Sequence, residues 1–145
     1  MNHFSFLVIF LIIFHISQAP ALACNEEVVI IRFKYKVHII NGFTSNENPL
    51  IAHCKSKDND IGEHVLWMNN EFKFEFKKNI FGTTRFWCDM RHGSVQKTID
   101  VFRVGHESYE SVYCHYTGNC FWSTREDGFY FSNDNESWLK RYEWY

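Results

Sequence analysis

The chain has 145 residues, with 15 lysines and arginines against 17 aspartates and glutamates, which gives a formal net charge of −2 at pH 7. This balance argues against a nucleic acid or an acidic membrane surface as the partner, because both attract proteins with a net basic surface. The length fits one domain, and an aromatic content of 19% supplies large side chains for its core.

The first segment has the pattern of a secretory signal peptide. Residues 4–16 are almost continuously apolar, and small residues follow at 17–19 and 21–23 as candidate cleavage sites. A membrane anchor is the alternative, but the apolar run is shorter than the ~20 residues that a bilayer requires. We therefore predict that residues 1–23 are a signal peptide and that residues 24–145 are a single domain. The protein is expected to be secreted and extracellular, with no stable membrane insertion.

Alternation of apolar and polar residues predicts β-strands along most of the remaining chain. The clearest case is residues 71–78, where Phe72, Phe74 and Phe76 face one way and charged residues face the other. The strand candidates are residues 32–41, 49–57, 64–67, 71–78, 83–90 and 96–104, followed by a closing hairpin within 114–131. Its turn is predicted at Asp127-Gly128, because glycine tolerates the positive φ that hairpin turns use. The fold class is all-β, an antiparallel β-sandwich of about eight strands, with a barrel as the alternative.

Five cysteines bear on how this small secreted domain is stabilised, and they are Cys24, Cys54, Cys88, Cys114 and Cys120. Cys24 stands at the predicted cleavage point and is treated as the odd one. The other four allow three pairings. We expect Cys54–Cys120 and Cys88–Cys114, which would tie two central strands to the closing hairpin. Each bridge would then stabilise the fold by roughly 3–4 kcal/mol.

Several short motifs, taken in order, resemble the plant self-incompatibility S-protein homologues. They are the segments 37–43, 54–62, 81–89 and 125–130, together with Cys114, Cys120 and Trp122. The resemblance covers roughly residues 33–131, which is most of the predicted domain. No single motif is specific for this family, but the number of motifs and their order are specific for it.

The resemblance implies a secreted β-sandwich whose two disulfides are formed by Cys54, Cys88, Cys114 and Cys120. The founding members of that family are ligands that trigger rejection of self pollen through a receptor. The family has no accepted catalytic residues, so the resemblance implies neither an enzyme nor a cofactor. Recognition is thought to reside in loops, which here are residues 44–48, 58–63, 91–95 and 105–111.

An enzymatic or metal-binding function is the weaker interpretation. Histidines suited to acid–base chemistry are scattered singly along the predicted domain, at His38, His53, His64, His92, His106 and His115. The sequence 58–60 lacks the later ligands of a calcium loop and is read as a turn, and no zinc spacing occurs. Adjacent Glu126 and Asp127 would point to opposite faces of a strand and are not expected to form a catalytic pair.

The C-terminal residues carry two further predictions. Trp138, Tyr142, Trp144 and Tyr145 could form a glycan-binding or partner-binding patch, although a tail packed on the sandwich is the simpler interpretation. Asn135 begins an Asn-Glu-Ser acceptor sequence for N-glycosylation.

The sequence therefore predicts a secreted, non-enzymatic ligand that binds a cell-surface receptor protein through exposed loops on a rigid scaffold. A secreted glycan-binding or defence protein is the first alternative, and a small secreted hydrolase is the second. No metal or cofactor is expected.

Overall fold

A computed structural model describes residues 34–79, 81–104, 114 and 117–145 of the chain. The predicted signal peptide and Cys24 lie outside these residues and stay predictions. Within the described ranges there are nine strands: β1 (Lys34–Asn41), β2 (Leu50–Ser56), β3 (Asp60–Leu66), β4 (Glu71–Lys77), β5 (Arg85–His92), β6 (Val95–Arg103), β7 (Asn119–Arg125), β8 (Gly128–Ser132) and β9 (Leu139–Tyr142). In the same ranges, no helix is long and apolar enough to cross a membrane.

The strands form two sheets that pack face to face. One sheet has the order β4-β1-β7-β8-β9 and the other has the order β3-β2-β5-β6. All neighbouring pairs are antiparallel except β1 and β7, which run parallel with Val37 opposite Cys120. A parallel pair needs a long crossover, and here the connection passes through β2 to β6. The all-β sandwich is confirmed, with one parallel pair that alternation alone does not predict, because it carries no strand direction.

Alternation along the strands places one face of each sheet in a shared core. In β1, Tyr35, Val37 and Ile39 are almost completely buried, as the sequence pattern predicted. In β4, Phe74 is buried, while Phe72 and Phe76 pack at the edge of the core. These rings meet aromatic side chains of the opposite sheet, so each inward face covers the other.

Trp122 of β7 provides a polar link between the sheets inside this core. Its side chain is 1% exposed, and its indole Nε1 donates a hydrogen bond to the carbonyl oxygen of Val101 in β6 at 2.9 Å. An indole N–H buried without an acceptor would cost free energy, so this bond fixes how the large ring sits.

The four predicted cysteines do form two disulfides, but the expected pairing is wrong. The bonds join Cys54 to Cys88 and Cys114 to Cys120, not Cys54 to Cys120 and Cys88 to Cys114. Cys54 and Cys88 are direct cross-strand partners on β2 and β5, with their Cα atoms 4.0 Å apart. Cys120 belongs to the other sheet, and the nearby Cys114 is its partner. One bridge joins neighbouring strands of one sheet and the other joins residues six apart in the chain. Neither ties a central strand to the closing hairpin.

Two turn predictions have different outcomes. The closing hairpin is confirmed, but its turn residues are 126–127 and not the predicted Asp127-Gly128, because Gly128, at a φ of 145°, already pairs with Arg125 as the first residue of β8. The predicted loop over residues 58–63 is shorter than expected, because β3 begins at Asp60. Backbone pairing of His53 with Glu63 extends the strand into that polar segment.

Candidate functional site

Two of the four predicted loops converge at one end of the sandwich, which we call the Phe43 end. Residues 42–49 connect β1 to β2, residues 67–70 connect β3 to β4, and the turns 93–94 and 126–127 join β5 to β6 and β7 to β8. The tail 143–145 reaches the same end. The predicted loop 58–63 lies at the opposite end, and the predicted loop 105–111 falls outside the described residues.

Asn41, the last residue of β1, holds two of these connections together. Its side chain is fully buried; Nδ2 donates to the carbonyl oxygen of Leu66 at 2.8 Å, and Oδ1 accepts from the amide of Phe43 at 2.9 Å. Its own backbone carbonyl accepts from the amide of Asn69 at 2.9 Å. One amide side chain thereby satisfies backbone groups that would otherwise be buried without partners.

A second set of hydrogen bonds attaches the loop 42–49 to the closing hairpin. The amide and the hydroxyl of Thr44 both donate to Oε1 of Glu126, each at 2.7 Å. The hydrogen bond from the Thr44 hydroxyl is the main cause that holds the pKa of the Glu126 carboxyl below its usual range, and the bond from the Thr44 amide is the second. The loop is also joined to its neighbour, because Met68 donates its amide to Oδ1 of Asn46 at 2.7 Å.

These connections surround a cleft of about 280 Å³, the Phe43 cleft, whose lining residues are Phe43, Ser45, Glu47, Asn48, His92, Val95, Glu126, Trp144 and Tyr145. The ring of His92 stacks on Phe43 with centroids 3.5 Å apart, and the ring of Trp144 is tilted against Phe43 with centroids 6.2 Å apart. The lining contains two carboxylates and no lysine or arginine. The cleft is therefore aromatic and acidic.

His92 carries an unusual feature within this cleft. Its Nε2 is buried and has no hydrogen-bond partner among the described residues. Buried polar atoms are normally paired, so this nitrogen is an exception within the cleft lining.

The other described histidines each have their own partners elsewhere. His38 is bonded to Glu71 and Asn119, and it stacks on Phe121 with centroids 4.1 Å apart. His53 is bonded to Asp60 at 2.6 Å.

His64 stacks on Phe72, and its position opposite buried Ala52 places it on the face of the sheet opposite to His53. His106 and His115 fall outside the described residues. The described histidines thus lie on separate strands with separate partners.

The acidic motifs also have local explanations. Asn59 donates its amide to Oγ of Ser56 at 3.1 Å, and Oδ1 of Asp60 accepts from the amide of Gly62 at 2.9 Å, which confirms the predicted turn. Asp127 accepts from the hydroxyl of Tyr130 and not from the partners of Glu126. Within the described part of the chain, no group of three or more His, Cys, Asp or Glu residues could hold a metal ion.

The C-terminal aromatic residues do not form one exposed patch. Trp144 is 7% exposed; it packs against Phe129 with centroids 4.5 Å apart and donates Nε1 to the carbonyl oxygen of Arg125 at 2.9 Å. Tyr142 stacks on Trp122, and only Tyr145 is almost fully exposed, at 96%. The packed tail is the correct interpretation, and it adds β9 to the predicted strands.

Asn135 lies in an exposed turn after β8. Oδ1 of Asp134 accepts from the amides of Glu136 and Ser137 at 2.9 and 2.8 Å, and Asn135 has a φ of 61°. Its side chain is accessible, and its glycosylation stays a prediction.

The family model of the plant self-incompatibility protein S1 matches residues 36–144, which include every strand from β2 to β9 and nearly all of β1. This chain belongs to that family.

Among its relatives from Arabidopsis thaliana, S-protein homolog 1 is 34% identical over 102 residues, and S-protein homolog 21 is 38% identical over 107 residues. These matches cover 69% and 67% of this chain. The chain spans 64% of the length of S-protein homolog 1 and 72% of that of S-protein homolog 21.

A solved structure confirms the fold of this family member. It matches with a TM-score of 0.53 and 20% identity, covering 77% of this chain and 90% of the solved one. That structure is described as one of the SPH, or self-incompatibility protein homologue, proteins, "a widespread family of small, highly stable, secreted proteins from plants". The secreted, extracellular location predicted from the sequence is that of the family.

Several residues of the Phe43 end were not singled out by the sequence. Asn41 appeared only as the last residue of a strand candidate, and Phe43 only as part of a motif. Thr44 and Glu126 are far apart in the chain, so nothing local reveals their contact. The hairpin signal at 126–128 was the one available clue, because it placed a carboxylate at a strand end.

Proposed function

We propose that this protein is a secreted, non-enzymatic ligand that signals by binding a cell-surface receptor protein through the Phe43 end. The observation that carries the proposal is the convergence of two loops, a hairpin turn and the tail around one aromatic, acidic cleft. Loops held on a rigid scaffold are a common arrangement for recognition. Family membership supports signalling of the self-incompatibility type.

Preorganisation of the Phe43 end supports a binding role. The bonds of Asn41, Glu126 and Asn46 hold the loop 42–49 at three points. A surface that is already ordered loses little conformational entropy when it binds, so more of its contact energy appears as affinity.

The chemistry of the Phe43 cleft indicates the kind of receptor surface that fits it. Glu47 and Glu126 favour a cationic side chain, and the exposed ring of Tyr145 offers a face for it. We therefore expect the receptor to insert a lysine or arginine into this cleft.

Saturation binding of the labelled, oxidised protein to living plant cells tests the proposal. The combined variant Glu47→Gln, Tyr145→Ala should weaken binding about tenfold or more, as expected for residues at the centre of an interface. Both side chains lie outside the core, so the variant should fold normally.

The matched control places the same changes at the opposite end, as Glu136→Gln with Phe81→Ala. Phe81 is 80% exposed, and Glu136 lies in the exposed turn after β8. The control should bind within about twofold of the parent protein. Equal loss in both variants, or no saturable binding on any tissue, would contradict a receptor site at the Phe43 end.

A further inference from the structure

A second cleft lies at the end opposite the Phe43 end and has a volume of about 620 Å³. We call it the Trp87 cleft. It lies between the turn 57–59 and the residues Asn79, Thr83 and Thr84, and aromatic residues of β4 and β5 also line it. The residues used below are Lys57, Asp58, Lys77, Asn79, Arg85 and Trp87, all of which line it.

The segment that forms one wall of this cleft is closed by its own hydrogen bonds. Asn79 donates its amide to Oγ1 of Thr84 at 2.8 Å, and its side chain exchanges two bonds with Thr83 at 2.7 and 2.9 Å. The carbonyl oxygen of Thr84 in turn accepts from the amide of Val104 at 2.9 Å.

The opposite wall is closed in the same way. Ser56 and Asn59 bond to each other through backbone and hydroxyl groups at 2.8 and 3.1 Å. The cleft therefore has two preorganised sides.

The charge of this lining is opposite to that of the Phe43 cleft. Three cationic side chains, Lys57, Lys77 and Arg85, face a single carboxylate, Asp58. Arg85 is already paired with Asp100 at 2.8 Å, whereas Lys57 and Lys77 form no ion pair with any described residue. Two exposed ammonium groups are thus free to meet an anionic ligand.

Trp87 gives the cleft an aromatic surface in the same lining as these cations. Its ring is half-buried, and the guanidinium of Arg85 lies 5.4 Å from its centroid. A cleft lined by both an aromatic ring and ammonium groups suits a ligand that has weakly polar faces as well as anionic groups. A sugar ring that carries a carboxylate has both, because its C–H face packs on an aromatic ring while its carboxylate accepts hydrogen bonds.

We propose that the Trp87 cleft binds an acidic polysaccharide built from uronic acid residues. The net charge of −2 argues against a nucleic acid, which requires a broad basic surface along many phosphates. The site is distinct from the receptor site proposed at the Phe43 end, so one molecule can bind both partners. Binding of this kind holds a secreted ligand in the extracellular matrix and limits how far it diffuses.

Titration with oligogalacturonic acid, followed by calorimetry and by backbone NMR, tests this inference. Saturable binding is expected, with amide shifts concentrated in residues 57–59 and 79–87. The variant Lys57→Gln, Lys77→Gln should weaken binding about tenfold, as expected for the loss of two partly exposed ion pairs. Trp87→Phe, which keeps an aromatic ring of smaller area, should weaken it less.

The matched control is Lys73→Gln with Lys97→Gln, which removes the same charge outside the Trp87 cleft and should bind within about twofold of the parent. The methyl-esterified oligomer tests the carboxylate, because it keeps the sugar rings and loses the charge. Its binding should be about tenfold weaker.

Three results would overturn the inference. They are no binding of the acidic oligomer, equal weakening by both lysine pairs, and dextran sulfate or single-stranded DNA binding more tightly with the same amide shifts. None of these results bears on receptor binding at the Phe43 end, which is measured on cells with separate variants.

Discussion

Asn41 is the residue on which the geometry of the Phe43 end depends most. Both polar atoms of its buried side chain are bonded to backbone groups, one in the loop after β1 and one at the end of β3. Replacement by a side chain of similar size but without an amide would leave those groups buried and unpaired. Replacement of Asn41 would therefore mainly lower stability, and it would affect two connections of the Phe43 end at once.

The variant Asn41→Ala should lower the free energy of unfolding by about 2–4 kcal/mol, because two buried backbone groups lose their partners. Denaturation in urea measures this loss. The control Asn59→Ala changes an exposed amide with no side-chain bond among those described, and it should change stability by less than about 0.5 kcal/mol. Similar small effects for both variants would mean that the Asn41 bonds are not needed.

The Thr44–Glu126 contact should respond to pH. The folded pKa of Glu126 is lowered from its ordinary value of 4.5, so the contact stabilises the fold above that value and loses its effect as pH falls through the lower, folded pKa. An NMR titration should show the Glu126 carboxyl and the Thr44 amide changing together below pH 4.5. The variant Glu126→Gln should abolish the change at Thr44. A Glu126 carboxyl that titrates at or above its ordinary value would contradict the contact.

Gly42 shows why the structure of the Phe43 end can be predicted only in part from the sequence. The end of the first strand at Asn41 was predicted, but the need for glycine at the next position, where the chains pack closely, was not. A Cβ atom at Gly42 would lie 2.3 Å from Oγ of Ser123. Because Ser123 is on a strand paired with β1 but remote in sequence, no local pattern identifies this constraint.

At the scale of elements, the two disulfides stabilise different parts of the sandwich. Cys54–Cys88 joins the central strands β2 and β5 across a separation of 34 residues, whereas Cys114–Cys120 closes a separation of 6 residues before β7. On the chain-entropy model, the longer loop contributes about 4 kcal/mol and the shorter about 2 kcal/mol.

Removing the bridges separately checks both the pairing and its effect. Cys54→Ala with Cys88→Ala should destabilise the protein more than Cys114→Ala with Cys120→Ala, because the first pair closes the longer loop while both bridges are equally buried. Non-reducing peptide mapping of each variant should recover the remaining bridge intact. The same mapping of the parent protein should recover both bridges, and a parent map that linked Cys54 to Cys120 would contradict the observed pairing.

Trp144 anchors the tail that follows β9. The side chain packs on two aromatic rings and donates a hydrogen bond to the β7–β8 hairpin. We expect Trp144→Ala to cost about 3–5 kcal/mol in unfolding free energy, as for other buried aromatic residues. Trp138→Ala, which removes a half-buried ring beside Arg125, should cost less than half as much. Equal small losses would indicate that the tail does not pack on the sandwich.

Most elements were predictable because alternation depends on nearest neighbours in the sequence. β1, β4 and the β7–β8 hairpin lie close to their predicted positions for this reason. Strand order, the parallel β1–β7 pair and the cysteine pairing depend on which strands become neighbours in space. That information is spread over the whole chain, and short motifs do not carry it.

At the scale of the whole molecule, the two clefts differ in sign and lie at opposite ends of the strands. β2 begins at Leu50 beside the Phe43 end and finishes at Ser56 beside the Trp87 cleft, a span of about 20 Å. The acidic, aromatic cleft and the basic, aromatic cleft are therefore separate surfaces. A receptor at one and an acidic polysaccharide at the other would not compete.

Because the two clefts are separate, a variant that loses one kind of binding and keeps the other identifies the cleft that is affected. Loss of receptor binding with retained polysaccharide binding would assign the defect to the Phe43 end, and the reverse would assign it to the Trp87 cleft. Loss of both would indicate unfolding, which denaturation measurements detect independently.

Site-specific photo-crosslinking on living cells tests the receptor site most directly. A photoreactive phenylalanine analogue is placed at Tyr145 in the Phe43 cleft and, in a matched protein, at Phe81 on the opposite end. Both positions are exposed aromatic residues, so the substitution is equally conservative at each. We predict that the probe at Tyr145 captures one membrane protein, that excess unlabelled protein prevents the capture, and that the probe at Phe81 does not capture it. Capture of the same protein from Phe81 but not from Tyr145 would contradict recognition through the Phe43 end.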